Sequence, residues 1–333
     1  MRAVVCPSAP IPPSALQYTT SHPAPEPKPG HVLIRVHAFG LNRSELFTRQ
    51  GHSPGISFPR VLGIECVGVV KDAGGGQWKE GDTVAAIMKG MGRQFDGGYA
   101  EYTLVPHSAV SPPVKLPSGM GWAEFGAIPE TFLTAWGTLK QSLNLQSDDT
   151  LLIRGGTTSV GMAAAALARS SLFKCTRVIS TTRAATKIPA LKGNGVTDTV
   201  IDNKNAISDE IKTLTDGKGV TKCIELVGGT TLFDSCQSLS SHGTISMIGC
   251  VSGEWTCKEF DPMTALAPGK HLTMFGSNAI DMATAPLQWI VDATARGEVT
   301  PSLDKVFNIE QAGEAHAYME SNAAAGKVVC LVE

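Results

Sequence analysis

The sequence predicts an α/β chain of two domains, a compact β-barrel-like domain and a doubly wound parallel sheet. Three observations predict it. The chain has 333 residues, 42% hydrophobic and 17% charged, which is too much for one small core and enough apolar material for two. Its pattern changes near residue 122, from short apolar runs broken by Gly and Pro to apolar runs alternating with helix-length segments. A glycine-rich turn, Gly155 to Gly161, stands at the first strand-to-helix passage of the alternating part.

Before residue 122, Val32 to Val36, Val67 to Lys71 and Thr83 to Ile87 read as strands, with turns at Gly74-Gly75-Gly76 and Glu80-Gly81-Asp82. Prolines at 23, 25, 27 and 29 favour an extended surface connection and resist helix. After it, helix is expected over 122–143, and strands at 150–154, 177–180, 198–201, 222–227, 244–248 and 272–275. Helices are expected between them at 161–169, 184–192, 206–215 and 231–239. Strands and helices of these lengths in alternation make parallel βαβ units. A helix near 285–296 and a strand at 327–331 end the chain.

The turn Gly155-Gly156-Thr157-Thr158-Ser159-Val160-Gly161 carries the chemistry. Backbone N–H groups at a helix N-terminus, with the helix dipole behind them, attract a pyrophosphate, and small residues let the backbone approach it. Threonine at 158 departs from the usual glycine spacing; the hydroxyls of Thr157, Thr158 and Ser159 are expected to compensate as phosphate donors. An NAD site usually carries an acidic residue about 20 positions on. The corresponding stretch here, Ser180-Thr181-Thr182-Arg183-Ala184-Ala185-Thr186-Lys187, has two cations, several hydroxyls and no carboxylate. That set suits a 2′-phosphate, so the expected cofactor is NADPH, with Ser180, Thr181, Arg183 and Lys187 around it and Asn203 after the next strand.

The ordered set of short motifs then resembles a family. Pro27 to Val36, Gly40-Leu41-Asn42-Arg43-Ser44-Glu45, Arg49-Gln50-Gly51, Gly63 to Val70, Gly81 to Val84 and Gly97 to Tyr102 resemble the zinc-free quinone oxidoreductases of the medium-chain dehydrogenase/reductase superfamily. So do Ala127 to Trp136 and the ending Gly326-Lys327-Val328-Val329. The resemblance runs end to end. It implies a GroES-like β-barrel domain from residues 1–122 and 279–333, and a Rossmann doubly wound parallel sheet inserted as residues 123–278.

Zinc alcohol dehydrogenases of that superfamily carry a ligand Cys near the position of Asn42, and Gly-His-Glu where this chain has Gly63-Ile64-Glu65. Their four-cysteine zinc lobe is missing, since no Cys lies between 66 and 175. Zinc needs three or four Cys, His or carboxylate ligands in fixed geometry, so no metal is expected. Without a Lewis acid, reduction of a quinone or an α,β-unsaturated carbonyl is the expected chemistry, because conjugation delocalises the charge that develops on hydride arrival. The resemblance places Asn42 and Thr131 in the active site, with Glu45 and Thr134 nearby. Cys250, Val251 and Ser277 are expected to reach the nicotinamide carboxamide through backbone groups. Two bland readings stand beside this: Asn42 and Glu45 are spaced as a helix-capping pair, and Glu65 is a buried polar group held by the fold.

Composition excludes other classes. A formal charge of −2 without a basic run offers no source for nucleic-acid binding. No apolar stretch is long enough to span a bilayer, and the N-terminus lacks a signal-peptide core. The 8 scattered cysteines, with no C-x-x-C pair, read as reduced thiols of a cytoplasmic protein. The resemblance also implies a homodimer. A non-redox isomerase, cyclase or lyase on the same scaffold is an alternative, as is an NADPH-binding structural protein of the zeta-crystallin type.

Overall fold

Apolar residues at every second position make the strands of the first part. In the computed structural model, which describes residues 1–258, 260–266, 269–321 and 323–332, strand β1 (Ala3–Cys6) pairs antiparallel with β2 (Gln17–Thr19). Strand β3 (His31–Gly40) buries Val32, Ile34 and Val36 on one face and is followed by helix α1 (Arg43–Arg49). Strand β4 (Arg60–Val61) joins β1. Strand β5 (Glu65–Asp72) pairs antiparallel with β3 and with β6 (Thr83–Ile87), and β7 (Tyr102–Pro106) pairs with β3 from the other side.

The helix expected over 122–143 is three pieces: α2 (Trp122–Gly126), α3 (Pro129–Gly137) and a π-turn at Thr138–Ser142. Pro129 has no N–H to donate, so the first piece stops and a new helix starts with proline in its first position. Helix α2 packs on the antiparallel sheet. A side chain at Gly126 would come within 3.0 Å of the Ala38 methyl and 3.2 Å of Val329.

The parallel sheet follows as β8 (Thr150–Arg154), α4 (Ser159–Arg169), β9 (Arg177–Thr182), α5 (Ile188–Gly193), β10 (Asp198–Ile201) and α6 (Ser208–Leu214). It continues through β11 (Val220–Glu225), α7 (Leu232–Gln237), β12 (Leu239–Met247), α8 (Pro262–Ala265) and β13 (His271–Met274). The strand order is β10-β9-β8-β11-β12-β13, all parallel, which is the doubly wound dinucleotide-binding order with β8 and β11 at the centre. Strands β10 and β13 are its two edges.

The chain then returns through α9 (Leu287–Ala295), β14 (Leu303–Asn308) and α10 (Ala312–Glu320) to β15 (Lys327–Leu331). Strand β15 lies between β14 and β3, so both ends of the chain build one six-stranded sheet. One unit comprises Met1–Leu133, Ile280–Arg296 and Pro301–Glu333, and the other Thr134–Ala279 with Gly297–Thr300. The first crossing falls within α3 and not at residue 122, because α2 is held on the antiparallel sheet. The first unit is a GroES-like domain and the second a Rossmann domain, as the motifs imply. Short strands β1, β2, β7 and β14 were not expected.

Candidate functional site

In the Rossmann unit, β8 runs into α4 through a turn built on small residues. Gly155 has φ +87, a left-handed conformation that favours glycine, and its N–H donates to Thr181 Oγ1 at 3.0 Å. The Gly156 N–H donates to the Thr181 carbonyl at 3.1 Å. A side chain at Gly156 would collide with Ser180 Oγ, and one at Gly161 would come within 2.7 Å of the Gly155 carbonyl. These glycines therefore bring the helix start close against the ends of β8 and β9.

Thr158 is the N-cap of α4. Its hydroxyl accepts from the Gly161 N–H at 3.0 Å and donates to the Gly155 carbonyl at 2.9 Å. That single hydrogen is committed, so Thr158 drops out of the expected phosphate donors and shapes the turn instead. Among the described residues, the N–H groups of Ser159 and Val160 have no acceptor. They open the first turn of an 11-residue helix, with the half-buried hydroxyls of Thr157 and Ser159 beside them. This donor set fits a pyrophosphate.

Two further expected ligands lie buried against the turn. Ser180 is fully buried beneath Gly156, with no hydrogen-bond partner for its hydroxyl among the described residues. Thr181 is buried and holds the Gly155 N–H. Beyond β9, Arg183 is exposed, Lys187 half-buried and Asn203 exposed. A carboxylate does stand at this end of the sheet, just after the neighbouring strand β10. Asp202 donates its N–H to the Thr182 carbonyl at 2.9 Å, and its Oδ2 accepts from Arg154 Nε at 2.8 Å. Arg154 also reaches Asp234 Oδ2 at 2.7 Å and Ser235 Oγ at 3.0 Å. Neither Arg154 nor Asp202 was singled out from sequence. An arginine ending an otherwise apolar strand is the signal that could have found them.

After β12, the Val251 N–H donates to the Leu226 carbonyl at 3.0 Å, so of its backbone groups only the carbonyl remains for the expected carboxamide contact. Cys250 is buried, its thiol donates to the Glu254 carbonyl at 3.1 Å, and burial raises its pKa. Ser277 is buried in the short turn Ser277–Ala279.

The GroES-like unit gathers a second group of polar side chains. Asn42 precedes α1 with extended backbone and forms a capping box with Glu45: Glu45 Oε2 accepts the Asn42 N–H at 3.2 Å, and the Asn42 side chain faces the Glu45 N–H. Glu45 Oε1 accepts from the Ile64 N–H at 2.9 Å. Burial first of all raises this carboxyl to about 7, against those hydrogen bonds. The Asn42 amide has two further partners: its Nδ2 donates to Glu65 Oε1 at 2.9 Å, and its Oδ1 accepts from Lys327 Nζ at 2.6 Å. Lys327 Nζ also meets Glu65 Oε1 at 2.5 Å. Glu65 Oε2 accepts the Glu130 N–H at 3.0 Å, placing its charge at the start of α3. A side chain at Gly40 would collide with both Glu65 and Lys327. Thr131 is buried, and its hydroxyl has no partner among the described residues. Asn42, Glu45 and Glu65 thus come together, with Lys327 as a member that was not singled out from sequence. Among the described residues, no three His, Cys, Asp or Glu side chains form a metal-holding group.

Two family models match this chain: "Alcohol dehydrogenase GroES-like domain" over residues 28–118 and "Zinc-binding dehydrogenase" over residues 196–330. The quinone oxidoreductase of Lama guanicoe is 27% identical over 327 residues, covering 96% of this chain and 94% of that protein. The chain belongs to the medium-chain dehydrogenase/reductase superfamily. It is a quinone oxidoreductase-like member, of an oxidoreductase family that binds pyridine nucleotides. A solved mycobacterial structure complexed with NADPH matches this dehydrogenase/reductase with a TM-score of 0.86 at 26% identity, covering 100% of both chains. A structure described as an NAD-dependent alcohol dehydrogenase matches with 0.86 at 27% identity, also over 100% of both. Among the described residues, no helix is long and apolar enough to cross a membrane.

Proposed function

We propose that this chain is a zinc-independent, NADPH-dependent reductase of quinones or α,β-unsaturated carbonyls. The observation that carries the reading is the side-chain set around Asn42. Where zinc relatives place a Cys and a His, this chain has an amide and Ile64, and the nearest cation is the ammonium of Lys327, 2.6 Å from the Asn42 oxygen. An amide donor suits a substrate oxygen whose charge is shared by conjugation, and is too weak for a localised alkoxide.

NADPH is favoured because Arg183 is exposed after β9, Lys187 follows it, and the nearby carboxylate of Asp202 is buried with its Oδ2 taken by Arg154. The relatives include both an NADPH complex and an NAD-dependent enzyme, so the preference rests on these residues. When bound, the nicotinamide supplies a hydride to the acceptor. The chain's own residues do the rest: Ser159 and Val160 hold the pyrophosphate by their N–H groups, Arg183 and Lys187 take the 2′-phosphate, and Asn42 meets the substrate oxygen. Steady-state NADPH oxidation with a panel of quinones, enones and enoyl thioesters tests the reading. Turnover of at least one acceptor is expected; NADPH binding without turnover of any would overturn it.

We further propose a homodimer paired along β13. It is a sheet edge whose Met274 is 71% exposed and whose neighbour Leu272 is also exposed, and open edges tend to be paired. Light scattering should give twice the chain mass, and about half of that for Met274→Lys. A monomer at micromolar concentration in the unsubstituted protein would reject the dimer.

A further inference from the structure

Lys327 lies 285 residues from Asn42 in sequence and is 2% exposed, in the first position of β15. A lysine buried to this degree needs a reason, because withdrawing an ammonium from water is unfavourable unless it is paired and hydrogen-bonded. Glu65, 1% exposed, provides the pairing. The geometry does more than neutralise charge. An ammonium only donates and a carboxylate only accepts. Lys327 therefore requires Oδ1 of Asn42 on its side, at 2.6 Å, and Glu65 requires Nδ2 on the other, at 2.9 Å. The reverse orientation would set NH₂ against ammonium and carbonyl oxygen against carboxylate. The neighbours thus determine the orientation of the amide independently.

We infer that Lys327 is the positioning residue of this site: with Glu65 it locks the Asn42 amide in one orientation and polarises it, so that the second Nδ2 hydrogen is presented to a substrate oxygen. Glu65 takes one of the two Nδ2 hydrogens, and Asn42 is half-buried while both partners are buried. Charge drawn from Oδ1 by the ammonium makes Nδ2–H a stronger donor, as hydrogen-bond chains in a low dielectric do. Gly40 belongs to the same device, since any side chain there would displace Lys327 and Glu65. The inference rests on the reading of Asn42 as the group that meets substrate.

Lys327→Met alone leaves the Glu65 carboxylate buried and unpaired and is expected to fold poorly; Lys327→Met/Glu65→Gln removes both charges. In this double variant, kcat with the best quinone or enone should fall about tenfold or more, with the KM for NADPH unchanged. Introduced into Asn42→Ala protein, the same pair of changes should cause no further loss. A second measurement does not depend on turnover. In protein labelled with ¹⁵N-asparagine and free of cofactor, the two Asn42 side-chain amide hydrogens, identified by their loss in Asn42→Ala, should differ: the one held by Glu65 protected from solvent exchange, the other not. In the double variant that protection should fall at least severalfold, because the neutral acceptor introduced by Glu65→Gln holds the hydrogen more weakly. Full kcat in the folded double variant, an equal loss in the Asn42→Ala background, or unchanged amide protection would each overturn the inference. If the unsubstituted protein reduces no acceptor, the proposed function falls and the amide protection alone decides the role of Lys327.

Discussion

Arg154 Nε donates to Asp202 Oδ2 over 2.8 Å, joining the end of strand β8 to the residue that follows β10. The guanidinium is wholly buried, and Asp234 and Ser235 of α7 take its Nη1. One arginine thus ties the two strands on either side of β9 to a helix on one face of the parallel sheet. Arg154→Met should destabilise the protein by about 3–5 kcal/mol, because it leaves buried carboxylates uncompensated. Urea denaturation measures it. A loss below about 1 kcal/mol would mean that solvent already screens the cluster.

Arg183 makes the opposite kind of prediction, a change in binding with little change in stability, because its side chain is exposed. A charge-assisted hydrogen bond contributes about 1.5–3 kcal/mol. Arg183→Ala should therefore weaken NADPH binding about tenfold or more and leave NADH binding nearly unchanged. Fluorescence titration of both cofactors tests this, and equal losses would assign Arg183 a structural role.

The first unit should respond to pH through two buried groups of opposite sign. His316 is fully buried, with Nδ1 accepting from Arg49 Nε at 3.3 Å and Nε2 3.1 Å from the Tyr99 hydroxyl. Burial, then the Arg49 charge, lowers its pKa from 6.5 to about 3. The unfolded chain takes up this proton below 6.5 and the folded chain does not, so His316 makes stability fall on acidification, by about 2 kcal/mol between pH 7 and 5. Glu45 works the other way. Its pKa is raised from 4.5 to about 7, so its contribution is present below 4.5 and lost as pH rises through 7. Between pH 7 and 5 the two slopes nearly cancel. Relative to the unsubstituted protein, His316→Gln should gain stability on acidification and Glu45→Gln should lose it, each by about 2 kcal/mol. Parallel stability–pH curves for all three proteins would show that neither group titrates as its surroundings imply.

How much of this was legible in sequence depended on how local each signal is. Strand β8 is an apolar run between turns, as a strand covered on both faces must be, and β8, β9, β10 and β11 stand within two residues of where the pattern places them. The small strands β1, β2 and β14 have few residues and take their pairing from distant segments, so no local period marks them. The phosphate turn was visible in its glycines. Its hydrogen bonds were not: which hydroxyl caps, which is buried and which faces out follow from the approach of β9 to the turn. Lys327 was hidden for the same reason. Within Gly-Lys-Val-Val it reads as an ordinary strand residue, and only the pairing of β15 with β3 brings it to Asn42.

The last prediction concerns reaction type, and it follows from what a neutral amide can and cannot stabilise. Oxidising a simple alcohol builds charge on one oxygen, which zinc relatives meet with a metal. Asn42 offers one remaining N–H, stiffened by Lys327 and Glu65. A preorganised donor of this kind is worth about 2.7–4 kcal/mol. That assists an acceptor which spreads its charge through a conjugated system, and falls short of replacing a divalent cation. Asn42→Ala should therefore lower kcat on a quinone or enone by about a hundredfold to a thousandfold, with NADPH affinity intact. Metal-free protein should oxidise neither 2-propanol nor benzyl alcohol with NADP. Substrate oxygen stabilised by another group would leave Asn42→Ala at full rate. Robust alcohol oxidation without metal would reject the mechanism outright, because one polarised amide would then be carrying a charge it is too weak to hold.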